Sequence, residues 1–410
     1  MRALVLTLCA LSASCSLDLD RLRRGAPDGG LPPRDGAVDA AVDAGEEPDA
    51  GDAGPADAGV CGCRGAGWQS NPFVVGGEGV SAVQVEDLNG DGYGDIVASL
   101  RGSSGPGVAF LRVDVTGCDR SGLSAEAAEA LAGTVPNTVS TLVDWDGDGT
   151  LDVLSPDPAM DRIQYLRGNV STMRWSASPN ATFGGLARPR VAFAGELDGA
   201  GLPEVVIAGE GNLAYTAPDR SLTSTRTFPP IGDSAGFGRY PDGRRFVALV
   251  GVGVGVLVHV FDPTDEPTLQ PGLVVDAPVI TAVEVGDLFP ERSGDEIVVS
   301  DGSSLRVFGY DATGWVEIAS AAARPFVALR LGNVDPDPEL ELAAASQDRG
   351  WVELWNAEDG GLSTRASLTV GEPTALALAD VDADGQGDVI VGHSASGSAR
   401  ITVFRQVCAR

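Results

Sequence analysis

The chain contains no lysine. All 28 of its basic residues are arginine, and 58 acidic residues outnumber them to give a formal charge of -30. This shortage of positive charge excludes nucleic acid and anionic membrane surfaces as partners, because both are bound through clustered basic residues. An all-arginine complement fits a GC-rich genome better than any functional demand. Histidine is almost as scarce, with only His259 and His393 present. Neither stands in a local pattern of acid and nucleophile such as a triad uses, and no phosphate-cradling glycine motif or zinc spacing occurs. Long hydrophobic runs are missing too. The longest near the start, Ala3 to Ala10, is too short to span a bilayer.

That run follows Met1-Arg2 and precedes Leu11-Ser12-Ala13-Ser14-Cys15, which reads as a secretory leader over residues 1–15. Small residues before Cys15 make its thiol the candidate for lipidation, although Ser12 stands where such sites usually carry Leu; plain cleavage near Ala13 or Ser14 is the alternative. Either way the mature chain is expected outside the cytoplasm, anchored to a bacterial outer membrane or secreted. Residues 16–60 are Asp, Ala, Gly and Pro with almost no branched or aromatic side chains. Such a segment cannot bury enough apolar surface to offset the entropy of ordering it, so it reads as an acidic tether. The folded domain is expected over 61–410.

What dominates that domain is a recurring acidic loop. Asp87, Asn89, Asp91 and Asp95 occupy the first, third, fifth and ninth positions of one copy. Asp144, Asp146, Asp148 and Asp152 do so in a second, and Asp380, Asp382, Asp384 and Asp388 in a third. Oxygen ligands at this spacing can converge on one hard cation, and calcium suits them. The helical EF-hand loop begins in the same way but needs a glutamate at its twelfth position. Here Ala98, Ser155 and Val391 stand there, within short β-branched runs that read as strands. Each copy is therefore a strand, a cation loop and a second strand.

Aligned on their first positions, the copies start at 87, 144, 196, 238, 287, 333 and 380, with intervals of 42 to 57 residues. A period of this size indicates propeller blades or arrays. The copy at Glu196 keeps Asp198 and Glu204 but has Ala200 at its fifth position, and only Asp242-Gly243 survives in the copy at Gly238. The copy at Asp287 carries one extra residue, and that at Asn333 keeps Asp335, Asp337 and Glu341. Prolines 136, 189, 230, 278, 325 and 373 recur seven to nine residues before their loops, where they suit the first residue of a strand. Further alternating strands follow each loop, such as Leu305-Arg306-Val307-Phe308.

The expected fold class is all-β, a seven-bladed β-propeller of four-stranded antiparallel blades. The last unit runs out after its third strand, so Trp68 to Val75 is expected to supply the fourth and close the ring. Closure would bring Cys61, Cys63, Cys118 and Cys408 to one rim. Two disulfides are expected, Cys61 and Cys63 pairing with Cys408 and Cys118 in an order left open, each adding roughly 2 to 4 kcal/mol.

The run Val85-Glu86-Asp87-Leu88-Asn89-Gly90-Asp91-Gly92 with Asp95-Ile96-Val97 resembles the FG-GAP or VCBS repeat of integrin α-chain propellers and many secreted bacterial proteins. The resemblance extends over about residues 66–407, clear in the first, second and seventh units and weakest in the fourth. It implies calcium ligands at the positions named above, joined by main-chain carbonyls at the seventh positions Tyr93, Thr150 and Gln386. In the sixth unit it implies Asn333, Asp335, Asp337 and Glu341, with Glu339 offering its carbonyl. About three or four calcium ions are expected, stiffening the turns. The expected role is that of a monomeric binding or surface-structural module for a protein or glycan, touching a membrane only through lipid on Cys15. A carbohydrate-active or other hydrolytic propeller enzyme with its site at the central channel is the alternative. Of the six tryptophans, Trp145, Trp315, Trp351 and Trp355 read as packing residues rather than sugar platforms.

Overall fold

Alternating apolar residues before each acidic loop and a solid apolar run after it fold as two antiparallel strands joined by that loop. Gly79–Glu86 pairs in this way with Asp95–Arg101, Thr141–Val143 with Asp152–Asp157, and Glu372–Ala379 with Asp388–Ala395. The computed structural model describes residues 68–406 except 117–121, 126–128, 170–174, 177–180, 185, 198–202, 211, 217–221, 228–230, 252–254, 262–272, 274, 276, 278, 336, 359 and 396. Cys15, Cys61, Cys63, Cys118 and Cys408, with the leader and the acidic segment, lie outside these residues. So do Asp198 and Ala200.

The described residues are all-β apart from one short 3-10 turn at Gln347–Arg349. They form seven sheets of three or four strands, numbered here by the copy of the loop that each contains, and one two-stranded ribbon, Val113–Thr116 with Gly122–Ala125. In sheet 5, for example, Ala282–Gly286, Glu296–Ser300, Ser304–Asp311 and Gly314–Ala322 pair in simple succession. Sheet 4 shows three strands, Ile231–Arg239, Arg245–Gly251 and Gly255–Phe261. The outer strand of sheet 7 comes from the other end of the chain. Trp68–Val74 pairs antiparallel with Ser398–Gln406, from Trp68 opposite Gln406 to Val74 opposite Arg400.

Successive sheets pack face to face through their first strands. Val139 of sheet 2 bridges to Val191 of sheet 3, and Ser234 Oγ of sheet 4 donates to the Val283 carbonyl of sheet 5 at 3.0 Å. Arg330 of sheet 6 meets Glu284 of sheet 5 in a buried ion pair at 3.2 Å. Thr374 Oγ1 of sheet 7 donates to the Val80 carbonyl of sheet 1 at 2.6 Å, and the Leu142 N–H of sheet 2 donates to Gln84 Oε1 of sheet 1 at 3.2 Å. A separate hydrophobic cluster fills each of the seven contacts between neighbours. The core is thus divided among the seams, as expected where each sheet buries both faces against its neighbours.

The prolines sit differently from expectation. Pro136, Pro189 and Pro325 precede the strands Thr141–Val143, Val191–Gly195 and Ala328–Gly332, and Pro373 is second in Glu372–Ala379. Next to two of them the chain turns through positive φ, at Asn137 (64°) and Arg188 (44°). Pro136, Pro189 and Pro325 therefore shape the entry into the first strand, whereas Pro373 stands in the ladder opposite His393.

Ile401 lies fully buried in the cluster between sheets 7 and 1, whereas Val74 on the strand Trp68–Val74 is 60% exposed. Replacing Ile401 by Ala is expected to lower stability by about 2–5 kcal/mol. Replacing Val74 by Ala should change it by less than about 0.5 kcal/mol. Urea unfolding of the two variants checks the contrast.

Candidate functional site

The ninth-position carboxylate closes each turn. Asp95 Oδ2 accepts the N–H of Leu88 at 3.1 Å, Asp152 that of Trp145 at 3.0 Å, and Glu204 that of Leu197 at 2.6 Å. Glu296 accepts from Leu288 at 3.0 Å, Glu341 from Val334 at 2.8 Å, and Asp388 from Val381 at 3.0 Å. All six carboxylates are buried at the start of a second strand. The link is made even in sheets 3 and 5, whose loops have lost other ligands.

The first-position carboxylate gathers the N–H groups of the turn itself. Asp87 accepts from Gly90 at 2.7 Å and Gly92 at 2.9 Å, Asp144 from Gly147 at 2.7 Å and Gly149 at 3.0 Å, and Asp380 from Asp384 at 3.0 Å and Gly385 at 2.9 Å. Gly90 and Gly147 take positive φ of 76° and 74°, and in sheet 7 Ala383 takes that position at 56°. The fifth-position carboxylates Asp91, Asp148, Asp337 and Asp384 accept the N–H groups of Tyr93, Thr150, Glu339 and Gln386 at 2.8–3.1 Å.

Among the described residues, three groups of carboxylates converge closely enough to hold a cation. Asp144, Asp146 and Asp152 form one, Asp335, Asp337 and Glu341 the second, and Asp380, Asp382 and Asp388 the third; within each, one oxygen per residue lies within 4.8 Å of the others. The fifth-position residues Asp148 and Asp384 stand outside these triads. In the loop of sheet 1 the third position is an amide, and its carboxylates Asp87, Asp91 and Asp95 make no such triad. Asn89 Nδ2 donates to Asp91 Oδ2 at 2.8 Å, and its Oδ1 accepts the Asp91 N–H. In sheet 6 the first-position Asn333 likewise turns its amide to the Asp337 carbonyl.

The chemistry of the sheet 7 group fits a cation. Asp382 is 3% exposed, and its Oδ1 is buried without a hydrogen-bond partner; so is Oε1 of Gln386. A buried oxygen left bare costs about 1–3 kcal/mol, which an ion would offset. The carboxylates are also strained electrostatically. Burial pushes Asp95 and Asp152 up to about 6, and Glu296 and Glu341 up to about 7. Asp388 is raised well above the carboxylate range by burial first and then by the Asp382 charge.

Three features escaped the sequence. An arginine engages the third-position carboxylate of every triad: Arg167 on Asp146, Arg365 on Asp335 and Arg405 on Asp382. Loops of adjacent sheets are joined by backbone hydrogen bonds, from Gly387 N–H to the Asn333 carbonyl and from Gly94 N–H to the Val381 carbonyl, both 3.1 Å. A Cβ on Gly387 would stand 2.2 Å from that Asn333 oxygen, so the glycine at the eighth position was the available signal. The third feature is a cleft of about 580 Å³ between sheets 4 and 5, lined by Asp242, Glu291, Arg292, Ser293, Tyr310 and Asp311. An aromatic group adjoins it: Tyr240 and Tyr310 lie edge to face at 4.6 Å between centroids, with Trp315 5.2 Å from both Tyr310 and Phe246. Arg244 covers the Tyr240 ring at 5.1 Å. Of the other tryptophans read as packing residues, Trp145 and Trp355 are buried and Trp351 is half-buried.

No family model matches the chain, and no curated protein matches it. Solved structures do. BBS1N in its crystal complex with ARL6DN superposes with a TM-score of 0.58 at 12% identity, covering 83% of this chain and 97% of that one. A chain of the mitotic checkpoint complex gives 0.52 at 14%, covering 92% and 100%. Virginiamycin B lyase from Staphylococcus aureus gives 0.52 at 8%, covering 83% and 100%. The chain is a β-propeller. At these identities the likeness fixes the fold of the propeller and leaves its activity to be argued from its own residues.

A pH dependence follows from the buried ninth-position carboxyls. The folded values of Asp95, Asp152, Glu296 and Glu341, about 6 to 7, lie above ordinary values of 3.8 for Asp and 4.5 for Glu, so between about pH 4 and 7 the folded propeller binds more protons than the unfolded chain. Stability without divalent cations is therefore highest below that window and falls as pH rises through it. Melting temperature in chelator should climb as pH is lowered from 7.5 toward 5.

Proposed function

We propose that the protein is a calcium-stabilised, closed seven-bladed propeller of the FG-GAP or VCBS kind, serving outside the cytoplasm as a binding module for a protein or glycan partner. The observation that carries the cation reading is the triad of Asp380, Asp382 and Asp388, with the bare buried oxygens of Asp382 and Gln386. Hydrogen-bonded turns alone account for the glycines and the backbone contacts. They leave those oxygens with no role. Calcium would be held by the carboxylates of the three triads and, in sheet 1, by Asp87, Asn89, Asp91 and Asp95. When bound, it would supply countercharge to acids that burial otherwise pushes toward protonation. The seven seams and the pairing of Trp68–Val74 with Ser398–Gln406 support a closed ring.

A binding role is supported by the company this fold keeps, since BBS1N was crystallised in complex with ARL6DN and another neighbour belongs to the mitotic checkpoint complex. The cleft between sheets 4 and 5 is the surface we assign to the partner, because its polar lining adjoins aromatic rings. Among the described residues the large exposed apolar side chains, Val74 in a strand of sheet 7, Met160 in a turn of sheet 2 and Val279 before the first strand of sheet 5, are scattered and make no patch. The leader, Cys15 and the acidic tether support export and anchoring, with the cysteine pairs Cys61, Cys63, Cys118 and Cys408 formed in an oxidising compartment.

A hydrolytic enzyme is the second reading, and Glu86 is the residue that favours it. Burial, and then the charge of Asp87, raise its carboxyl to about 7 outside the ninth positions. The first reading is preferred because the other carboxyls raised to about 6 or 7 each hold a backbone N–H of their own turn. His393 is likewise engaged, its Nε2 lying 2.9 Å from Thr402 Oγ1 in a buried site.

Calcium titration of the intact exported chain tests the proposal through melting temperature and ion stoichiometry. About three or four ions are expected, and one site held at a hundred times its Kd adds about 2.7 kcal/mol. Asp380→Asn should remove one ion. A chain that takes up no calcium and melts identically in chelator would refute the cation reading.

A further inference from the structure

The three triads share a charge arrangement but differ in where their arginine stands. In sheet 7, Arg405 comes from the end of the third strand, one residue beyond the pair Val389 and Phe404. Its Nη1 meets Asp382 Oδ2 at 3.0 Å, and both side chains are only 4% exposed. The guanidinium thus takes one oxygen of Asp382, while the other, Oδ1, is buried without a partner, in a residue that brings an oxygen within 4.8 Å of Asp380 and Asp388. A carboxylate gripped on one side by a rigid fork has its second oxygen fixed in direction. That direction serves an ion.

In sheet 6 the guanidinium stands within the triad itself. Arg365 Nη1 contacts Asp335 Oδ2 and lies 3.5 Å from Glu341 Oε1, so it bridges the third and ninth positions. In sheet 2, Arg167 spans Asp146 Oδ2 at 2.8 Å and Asp148 Oδ2 at 2.7 Å. A guanidinium shared by two ligand carboxylates already supplies the countercharge that a metal would bring. It must let go of at least one before an ion can bind both.

We propose that the arginines rank the cation sites: Arg405 is a positioning residue that presents Asp382 Oδ1 to an ion in sheet 7, whereas Arg365 competes with the ion in sheet 6. This rests on the calcium reading above and goes beyond it in giving the two arginines opposite effects. Charge alone would make removal of either arginine tighten its site, because each carries a positive charge close to where a cation binds. Positioning reverses that sign for Arg405.

The test is calcium calorimetry on the full chain, with the sheet 7 step identified as the one lost in Asp380→Asn and the sheet 6 step as the one lost in Asp337→Asn. Arg405→Met is expected to weaken the sheet 7 site about ten- to a hundredfold, the usual effect of removing a residue that orients a ligand. Arg365→Met is expected to tighten the sheet 6 site by about tenfold, as loss of a competing charge-assisted contact should. In an Asp382→Asn background, Arg405→Met should no longer weaken the sheet 7 site, since only the loss of its positive charge remains. Arg405→Lys keeps the buried positive charge but not the fork, and is expected to weaken the site as well; it serves if the methionine variant does not fold. An unchanged or tighter sheet 7 site in the Arg405 variants, with calcium still bound by the wild type, would overturn the assignment and leave the calcium reading standing. Absence of calcium uptake by the wild type would overturn both.

Discussion

The propeller depends on a carboxylate buried at the ninth position of the turn, where it accepts the backbone N–H of the second. That one contact sets the exit of the first strand against the entry of the second, and the apolar faces that fill the seams follow from their alignment. It also carries an electrostatic penalty, because each sheet that makes it buries a group that water would prefer to keep ionised. The remaining acidic residues of the loop add to the repulsion. A guanidinium offsets part of what the turn itself creates, as the cation proposed above would. The turn contact itself needs no ion, and it is made in sheets 3 and 5, where other ligand positions are missing.

The fold was legible to the extent that its chemistry is local. A loop whose hydrogen bonds connect residues two to eight positions apart writes its pattern into nine consecutive letters, and repetition at 42 to 57 residues exposes the sheets. The partner of Trp68–Val74 was accessible for a related reason, since a unit ending one strand short leaves a place to fill. What stayed hidden joins distant segments. Arg405 lies 23 residues from Asp382 and Arg365 30 from Asp335, and arginines are too common in this chain for such spacing to stand out. The sheet 1 loop shows the converse limit. Asn89 satisfies the ligand pattern as a letter, but as an amide it donates to Asp91 and leaves the site with one carboxylate fewer.

Absence of lysine shapes the rim as much as the abundance of aspartate does. With only guanidinium available as countercharge, every internal cation is a planar fork able to grip a carboxylate at one oxygen or to bridge two. A lysine ammonium would be a point charge, attractive but without direction. The difference between Arg405, set behind its ligand, and Arg365, set among ligands, is a difference that only a directional cation can express.

The rim also divides by sheet. The four loops with the fullest ligand sets belong to sheets 6, 7, 1 and 2, which are consecutive neighbours, and hydrogen bonds from Gly387 to Asn333 and from Gly94 to Val381 tie three of those loops together. On the remaining sheets the ligands have thinned, and the seam between 4 and 5 carries Tyr240, Phe246, Tyr310 and Trp315 beside its cleft. Sheet 4 sets the bulky Tyr240 at the third position of its turn, where sheets 1, 2, 6 and 7 carry Asn89, Asp146, Asp335 and Asp382. One half of the rim is therefore constrained by charge and held rigid by its own carboxylates. The other half carries aromatic side chains beside its cleft, and the partner surface proposed above falls there.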